Sequence, residues 1–408
     1  MKDKLEVFII EKIRNMTASP LMTTYRPLPV IFTHGKGSRL WDTSGKEYID
    51  ALSGLGVCSL GHSHPAVVET LCKQANQLIH TSNLYHIEQQ EKLAYSLCEV
   101  TGMSNVFFSN SGAEANEAAI KIARLYGQKK SIKTPTIIVA EQSFHGRTLA
   151  TLSATGNRKV HAGFEPLVSG FLRVPYNDSD AIEQIADRHK DVVAVLLEPI
   201  QGEGGINIPD SDYLNKVRKI CDQNNWLMML DEIQSGLCRT GKWLATDHND
   251  IKPDVLTLAK ALGNGVPIGA CLAKGTASEI FQPGNHGSTY GGNPLSCAVG
   301  HTVIDVMKKQ NLAQKAQQRG LQLQDALQSK LSEHALVKTI RGKGLMIGIE
   351  LSLPCTELVQ LALNKGLLLN VTAGSVIRLL PPLIIEDEEI NFISETVAAI
   401  IDEINTSK

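Results

Sequence analysis

The chain has eight cysteines, at 58, 72, 98, 221, 238, 271, 297 and 355, and no two of them are spaced Cys-x-x-Cys. Scattered cysteines in a long chain argue against a disulfide framework or a zinc site, and they predict reduced thiols in a cytoplasmic protein. Neither sign of charge is in excess: 40 basic against 42 acidic residues leave a net charge of −2. That balance gives no electrostatic footprint for nucleic acid and none for an anionic membrane. No apolar run approaches the length a membrane span requires. Near the N-terminus, Val7-Phe8-Ile9-Ile10 is bounded by Glu6 and Glu11 and is too short for a secretory signal. Internal repeats, low-complexity tracts and linker-like stretches are also missing.

What is present is a chain of 408 residues, 43% of them hydrophobic, enough for a sizeable core and two or three domains. Residues 4–14 suit a short amphipathic helix. After the Pro-rich Arg26–Pro29 segment, Val30–His34, Ser38–Asp42 and Glu47–Asp50 suit a small β-meander. Helical patterns cover 65–79 and 88–101. From residue 105 short apolar runs alternate with helical stretches: Val106–Ser109, Thr136–Ala140, Val192–Leu197, Trp226–Leu230, Val255–Ala259 and Ile268–Ala273. Runs without polar alternation suit strands covered on both faces, and alternation with helices implies a mostly parallel, doubly wound α/β sheet. A long helical pattern at 293–333 leads to strands near 338–352, 367–371 and 376–380, with helices at 355–365 and 387–404. The resulting division is a large domain at 51–300 and a smaller α+β domain at 301–408 that takes in residues 1–50.

Polar residues with chemical use stand where the apolar strands end, which is where open α/β sheets place their sites. Trp226–Leu230 delivers Asp231, followed by Gln234, and Val255–Ala259 delivers Lys260. Both charges are costly to bury unless paired or used covalently. An aspartate can keep a pyridine nitrogen protonated, and a lysine of depressed pKa can form a Schiff base. The small-residue turn Ser109-Asn110-Ser111-Gly112-Ala113 opens a helix whose free N–H groups suit a phosphate. Phe144 can stack on a planar ligand and Arg147 can hold a carboxylate. Glu198 opens the Gly-rich loop Pro199–Gly205, and the hydroxyls of Ser288 and Thr289 stand among glycines. Taken singly, each has an ordinary explanation: a cap, a turn, a surface ion pair. Gly236–Lys242 has the spacing of a P-loop, but Trp243 follows where a hydroxyl is needed, and no strand precedes it. His62-Ser63-His64 has no further metal ligand beside it.

Taken jointly, three stretches carry a resemblance. They are Asp231-Glu232-x-Gln234-x-Gly236-x-x-Arg239-Thr240-Gly241, Ala259-Lys260-x-Leu262-Gly263-x-Gly265-x-Pro267-x-Gly269, and Gly287-Ser288-Thr289-Tyr290-Gly291-Gly292-Asn293-Pro294. The chain resembles the class III, ornithine aminotransferase-type subgroup of fold-type I pyridoxal-phosphate enzymes, from about Tyr25 to the C-terminal domain. The resemblance implies pyridoxal 5′-phosphate as cofactor. Lys260 is implied as its covalent partner and proton shuttle, Asp231 as the ring-nitrogen partner, Gln234 as the phenolic-oxygen contact and Phe144 as the stacking ring. Ser111, Gly112 and Ala113 are implied at the phosphate, and Thr289 at the phosphate of a neighbouring subunit, hence a homodimer. No metal is implied.

On the substrate side, Arg378 resembles the arginine that binds the α-carboxylate of glutamate, with Glu198 as the carboxylate that pairs with it when an amine donor enters. Arg147 resembles the arginine for the second carboxylate, or for the α-carboxylate of an acylated ornithine. Such a pair lets one pocket take a dicarboxylate in one half-reaction and a terminal amine in the other. Phe144-His145-Gly146-Arg147 and Thr81-Ser82-Asn83 resemble the acetylornithine branch, as does Leu55, which stands where ornithine enzymes carry tyrosine. Tyr25 departs from that pattern and resembles an ornithine-type contact to the donor carboxylate. The reaction implied is transfer of the terminal amine of N-acetylornithine to 2-oxoglutarate, a step of arginine biosynthesis. Ornithine, succinylornithine or 4-aminobutyrate is the alternative donor, and an aminomutase or decarboxylase the alternative chemistry.

Overall fold

The computed structural model describes residues 20–406. The helix expected over 4–14 lies outside the described residues. Three antiparallel strands follow the Pro-rich segment: β1 (Phe32–Lys36), β2 (Arg39–Asp42) and β3 (Glu47–Asp50). Asp42 sets the turn between the last two. Its Oδ1 accepts from the N–H groups of Ser44 and Lys46 at 2.8 and 3.0 Å, a side chain standing in for a backbone turn.

Seven strands form the central sheet: β4 (Asn105–Ser109), β5 (Thr136–Ala140), β6 (Phe171–Val174), β7 (Val192–Leu197), β8 (Leu227–Asp231), β9 (Val255–Leu258) and β10 (Gly269–Ala273), in the order β4-β10-β9-β8-β7-β5-β6. All pairings in it are parallel except those of β10, which is antiparallel to β4 and to β9. The connection from β9 to β10, residues 259–268, is too short for the crossover that a parallel strand needs, so the chain turns back. Successive residues of β5 enter opposite cores. Ile137 and Val139 pack with the helix Gly112–Lys129, whereas Ile138 and Ala140 pack with the helices Ser179–Arg188 and Tyr213–Asn224. Burial on both faces is why these strands are apolar without alternation.

Two helices, Pro294–Lys309 and Leu312–Leu331, occupy the long pattern expected at 293–333. The break is Asn311, at φ 50° and ψ 49°, a left-handed conformation that asparagine tolerates better than most residues. The first of them receives the helices Pro65–Gln77 and Glu88–Thr101. The chain continues through β11 (Val337–Lys343), β12 (Met346–Leu351), β13 (Leu367–Leu368), β14 (Asn370–Thr372) and β15 (Val376–Leu379). Strands β11-β12-β15-β14 form an antiparallel sheet, whereas β13 pairs in parallel with β3 and ties the C-terminal part to the N-terminal meander. No helix of the described residues is long and apolar enough to cross a membrane.

Candidate active site

Because β4, β5, β7, β8 and β9 share one direction, the segments that follow them meet at one edge of the sheet. There they bring Ser111, Phe144, Glu198, Asp231 and Lys260 around a cavity of about 390 Å³, with Gly112, Ala113, Arg147 and Gln234 also on its wall. Reversed β10 starts at the same edge, its Gly269 opposite Ser109, so Pro267 and Ile268 line the cavity too.

Asp231 is buried at the end of β8. Its Oδ2 accepts from Asn116 Nδ2 at 2.7 Å and from His145 Nδ1 at 2.8 Å, and its Oδ1 from the Ile233 N–H at 3.1 Å. Asn116 is oriented in turn, because its amide oxygen accepts from Thr257 Oγ1 at 2.8 Å and its Nδ2 also reaches the His145 carbonyl at 2.8 Å. His145 Nδ1 faces the carboxylate, which can only accept, and His145 Nε2 is a buried atom without a partner. Sequence reasoning assigned no role to Asn116 or His145. The available signal was a buried amide among Ala115, Ala118 and Ala119 on the core face of a helix.

Lys260 opens a short 3₁₀ turn at φ 42°, a left-handed conformation that costs a non-glycine residue about 1–2 kcal/mol and is held by the segments around it. Burial, then the Arg378 charge, push its amine down to about 8 from 10.5, against the pull of Glu203 and Asp231. An amine so placed is a far better nucleophile and base near neutrality than a solvated lysine.

The carboxylate that pairs with Arg378 is Glu203, not Glu198 as the sequence led us to expect. Arg378 Nη1 donates to Glu203 Oε1 at 2.6 Å and to Gln234 Oε1 at 3.2 Å, and Nε donates to Asn370 Oδ1 at 3.1 Å. Nη2 is buried and has no partner. Burial opposes ionising Glu203, but the Arg378 charge and hydrogen bond outweigh it and hold the carboxyl below its ordinary range. Glu198 is occupied elsewhere. It sits directly beyond β7, and its two oxygens accept from the N–H groups of Phe144 at 2.9 Å and Gly202 at 3.1 Å. Burial pushes its carboxyl up to about 7. The turn between the two acids sends Glu203 across to the third sheet and leaves Glu198 beneath the Phe144 backbone.

At the helix start, Ser111 Oγ accepts from the Glu114 N–H at 3.2 Å, which leaves the N–H groups of Gly112 and Ala113 free of intrahelical partners. A Cβ on Gly112 would lie 2.7 Å from Ile233 Cδ1, so a larger residue here would force the Ile233 side chain, on the segment after Asp231, to shift. The guanidinium of Arg147 lies over the Phe144 ring at 5.6 Å. Four expected residues are not on the cavity wall: Arg378, on β15, and Tyr25, Leu55 and Thr289. Tyr25 is 84% exposed, Leu55 is 42% exposed at φ 68°, and Thr289 lies in an exposed loop.

The sequence profile described as "Aminotransferase class-III" matches residues 21–401. An acetylornithine aminotransferase of Nitrosomonas europaea is 54% identical over 94% of this chain and 98% of its own length. A crystal structure of an ornithine aminotransferase from Toxoplasma gondii superposes with a TM-score of 0.93 at 35% identity, covering 100% of this chain and 98% of that one. A second structure of that enzyme, crystallised with oxidised glutathione and described as showing partial occupancy of pyridoxal phosphate at its active site, gives a TM-score of 0.92 at 35% identity over 98% and 95% of the chains.

Proposed function

The chain belongs to the class-III aminotransferases, and from that premise we propose that it moves the terminal amine of N-acetylornithine to 2-oxoglutarate, giving N-acetylglutamate 5-semialdehyde and glutamate, a step of arginine biosynthesis. Its architecture is fold-type I and its cofactor is pyridoxal 5′-phosphate. The residues on the cavity wall fit that group. The free N–H groups of Gly112 and Ala113 suit its phosphate, and Asp231 suits its ring nitrogen. Phe144 and Ile233 offer apolar surface to the ring, and the lowered pKa of Lys260 suits its aldehyde. When bound, pyridoxal phosphate supplies the electron sink that stabilises charge on the carbon losing its proton.

The protein's own part is to hold Asp231 aimed, through Asn116 and His145, and to keep Lys260 Nζ able to accept and return a proton. Arg378 decides which substrate fits, and its unpartnered Nη2 carries this reading. Glu203 holds one arm of the guanidinium only, so an incoming α-carboxylate can take both arms and displace it. With an amine donor, which brings no carboxylate to this point, Glu203 stays and masks the charge. Arg147, at the exposed rim, suits the far carboxylate of the dicarboxylate and the α-carboxylate of the donor.

The identity of 54% to an acetylornithine enzyme favours the acylated donor, as does aliphatic Leu55. Single-turnover spectroscopy of the holoenzyme with N-acetylornithine, ornithine and 4-aminobutyrate tests it. N-acetylornithine should react fastest, and a faster reaction of either other amine would replace the donor named here.

The assembly we infer is a homodimer in the cytoplasm. Leu78, Ile79, Leu84, Tyr85 and Tyr290 are exposed apolar residues beside Thr289. Their two segments are joined by bonds from Asn83 to the carbonyls of Ser288 and Gly291. Such a patch suits burial against a second copy, and eight free cysteines suit a reducing compartment.

A further inference from the structure

The loop that carries Glu203 is tied down at successive residues, and three of the ties come from the third sheet. Gln201 and Asn207 exchange both backbone hydrogen bonds at 3.1 Å, closing the loop at its base. Inside it, the Gly202 N–H is taken by Glu198 and the Gly204 carbonyl by Asn207 Nδ2 at 3.1 Å. Thr372 Oγ1, from β14, donates to the Glu203 carbonyl. Arg341, from β11, donates through Nη2 to the Gly205 carbonyl at 2.6 Å and through Nε to the Ile206 carbonyl at 2.9 Å. Its remaining arm pairs with Glu350 at 2.7 Å on β12, which fixes the guanidinium in place. Ile206 is fully buried at φ 53°, a conformation that a β-branched residue keeps only under such constraint. The Glu203 side chain, by contrast, is 36% exposed and has solvent to turn into.

We propose that Arg341 and Thr372 are positioning residues for substrate selection. They pin the backbone on which Glu203 rides, so that covering and uncovering Arg378 is a swing of one side chain and not a movement of the loop. The proposal rests on the reading of Glu203 and Arg378 given above. A fixed backbone keeps the carboxylate at high effective concentration beside its arginine. Loosening the loop shifts the balance towards an uncovered Arg378. An uncovered guanidinium welcomes the α-carboxylate of glutamate, but it is a buried, unpaired charge when N-acetylornithine is bound. Each tie should therefore act on the two half-reactions in opposite senses.

The test measures kcat/KM for the N-acetylornithine and glutamate half-reactions of the holoenzyme in Arg341→Met, Thr372→Val, Glu203→Ala and the double variant of Arg341→Met with Glu203→Ala. Arg341→Met should lower the ratio of N-acetylornithine to glutamate efficiency by about tenfold and Thr372→Val in the same direction by less. Glu203→Ala should lower it at least as far, and Arg341→Met should add nothing in its presence, because the arginine acts through that carboxylate. A purely structural role would slow both half-reactions by one factor and leave the ratio unchanged, which overturns the proposal. Where Arg341→Met does not fold, Arg341→Lys and Thr372→Val decide by the same ratio. If Glu203→Ala itself leaves the ratio unchanged, it is the reading of the Glu203–Arg378 pair that fails. A shift in Glu203→Ala with none in the tie variants rejects the positioning role alone.

Discussion

Lys260 is held in a state that favours chemistry over stability. Its amine stands at about 8 in the folded protein against the ordinary 10.5. Between those values the unfolded apoprotein binds a proton that the folded one has released, so stability rises with pH through that window, and the full cost is borne below it. The depression is equivalent to about 3 kcal/mol, and the partial exposure of the side chain reduces the expected effect to about 1–3 kcal/mol. Lys260→Met should therefore abolish transamination and yet make the apoprotein more stable by that amount near neutral pH, with the advantage fading towards about pH 10. Urea denaturation of the apoproteins at both pH values measures it. Equal stability near neutrality would show that the lysine is not strained by its surroundings. Residues of this kind were legible in the sequence because each is a charged side chain ending an apolar strand. The partner of Arg378 was not, because Glu198 and Glu203 flank the same turn and only the path of that turn tells them apart. Asn116 and His145 were hidden for another reason: they act through Asp231, and side chains that orient another side chain leave no spacing of their own.

At the scale of elements, the turn after β4 and the start of β10 depend on each other. Gly269 faces Ser109 across the two strands, and a Cβ at Gly269 would collide with the Ser111 carbonyl, at the turn that presents Gly112 and Ala113. Gly269→Ala must push that turn outward. On the reading that Gly112 and Ala113 hold the cofactor's phosphate, its affinity should fall by about tenfold or more, because both N–H groups are displaced together. Titration of the apoenzyme with pyridoxal phosphate reads this directly, and an unchanged dissociation constant would mean that the turn yields freely. The strands of this sheet were legible because burial on both faces makes them uniformly apolar. β6 escaped notice because it is an edge strand of half-buried residues interrupted by Arg173. The break at Asn311 and the pairing of β13 with β3 were equally hidden, since one rests on a single residue's backbone and the other on partners more than 300 positions apart.

On the scale of the whole molecule, Arg239 joins distant parts of the chain. It is fully buried and donates to the carbonyls of Leu345 and Pro381 and to Ser59 Oγ, and no carboxylate among the described residues pairs with it. Burial alone brings it down to about 10. Lysine cannot reproduce the fork, so Arg239→Lys should cost about 2–4 kcal/mol by chemical denaturation. A loss below about 1 kcal/mol would show that these carbonyls find other donors.

The exposure of Thr289 belongs to the same scale. If its hydroxyl serves the phosphate of the neighbouring subunit, each active site draws Lys260 from one chain and Thr289 from the other. Lys260→Ala supplies no lysine, and Thr289→Ala binds cofactor poorly, so each is defective as a homodimer. In a mixed dimer one site collects both defects and the other collects neither. Co-refolding the two variants should then restore roughly half of the native rate per mixed dimer. If Thr289 instead serves its own chain, every site in the mixture keeps one defect, and no activity returns above that of the Thr289→Ala subunits. Activity of the purified mixed dimer therefore separates a shared site from a self-contained one, which the burial of an apolar patch could not do on its own.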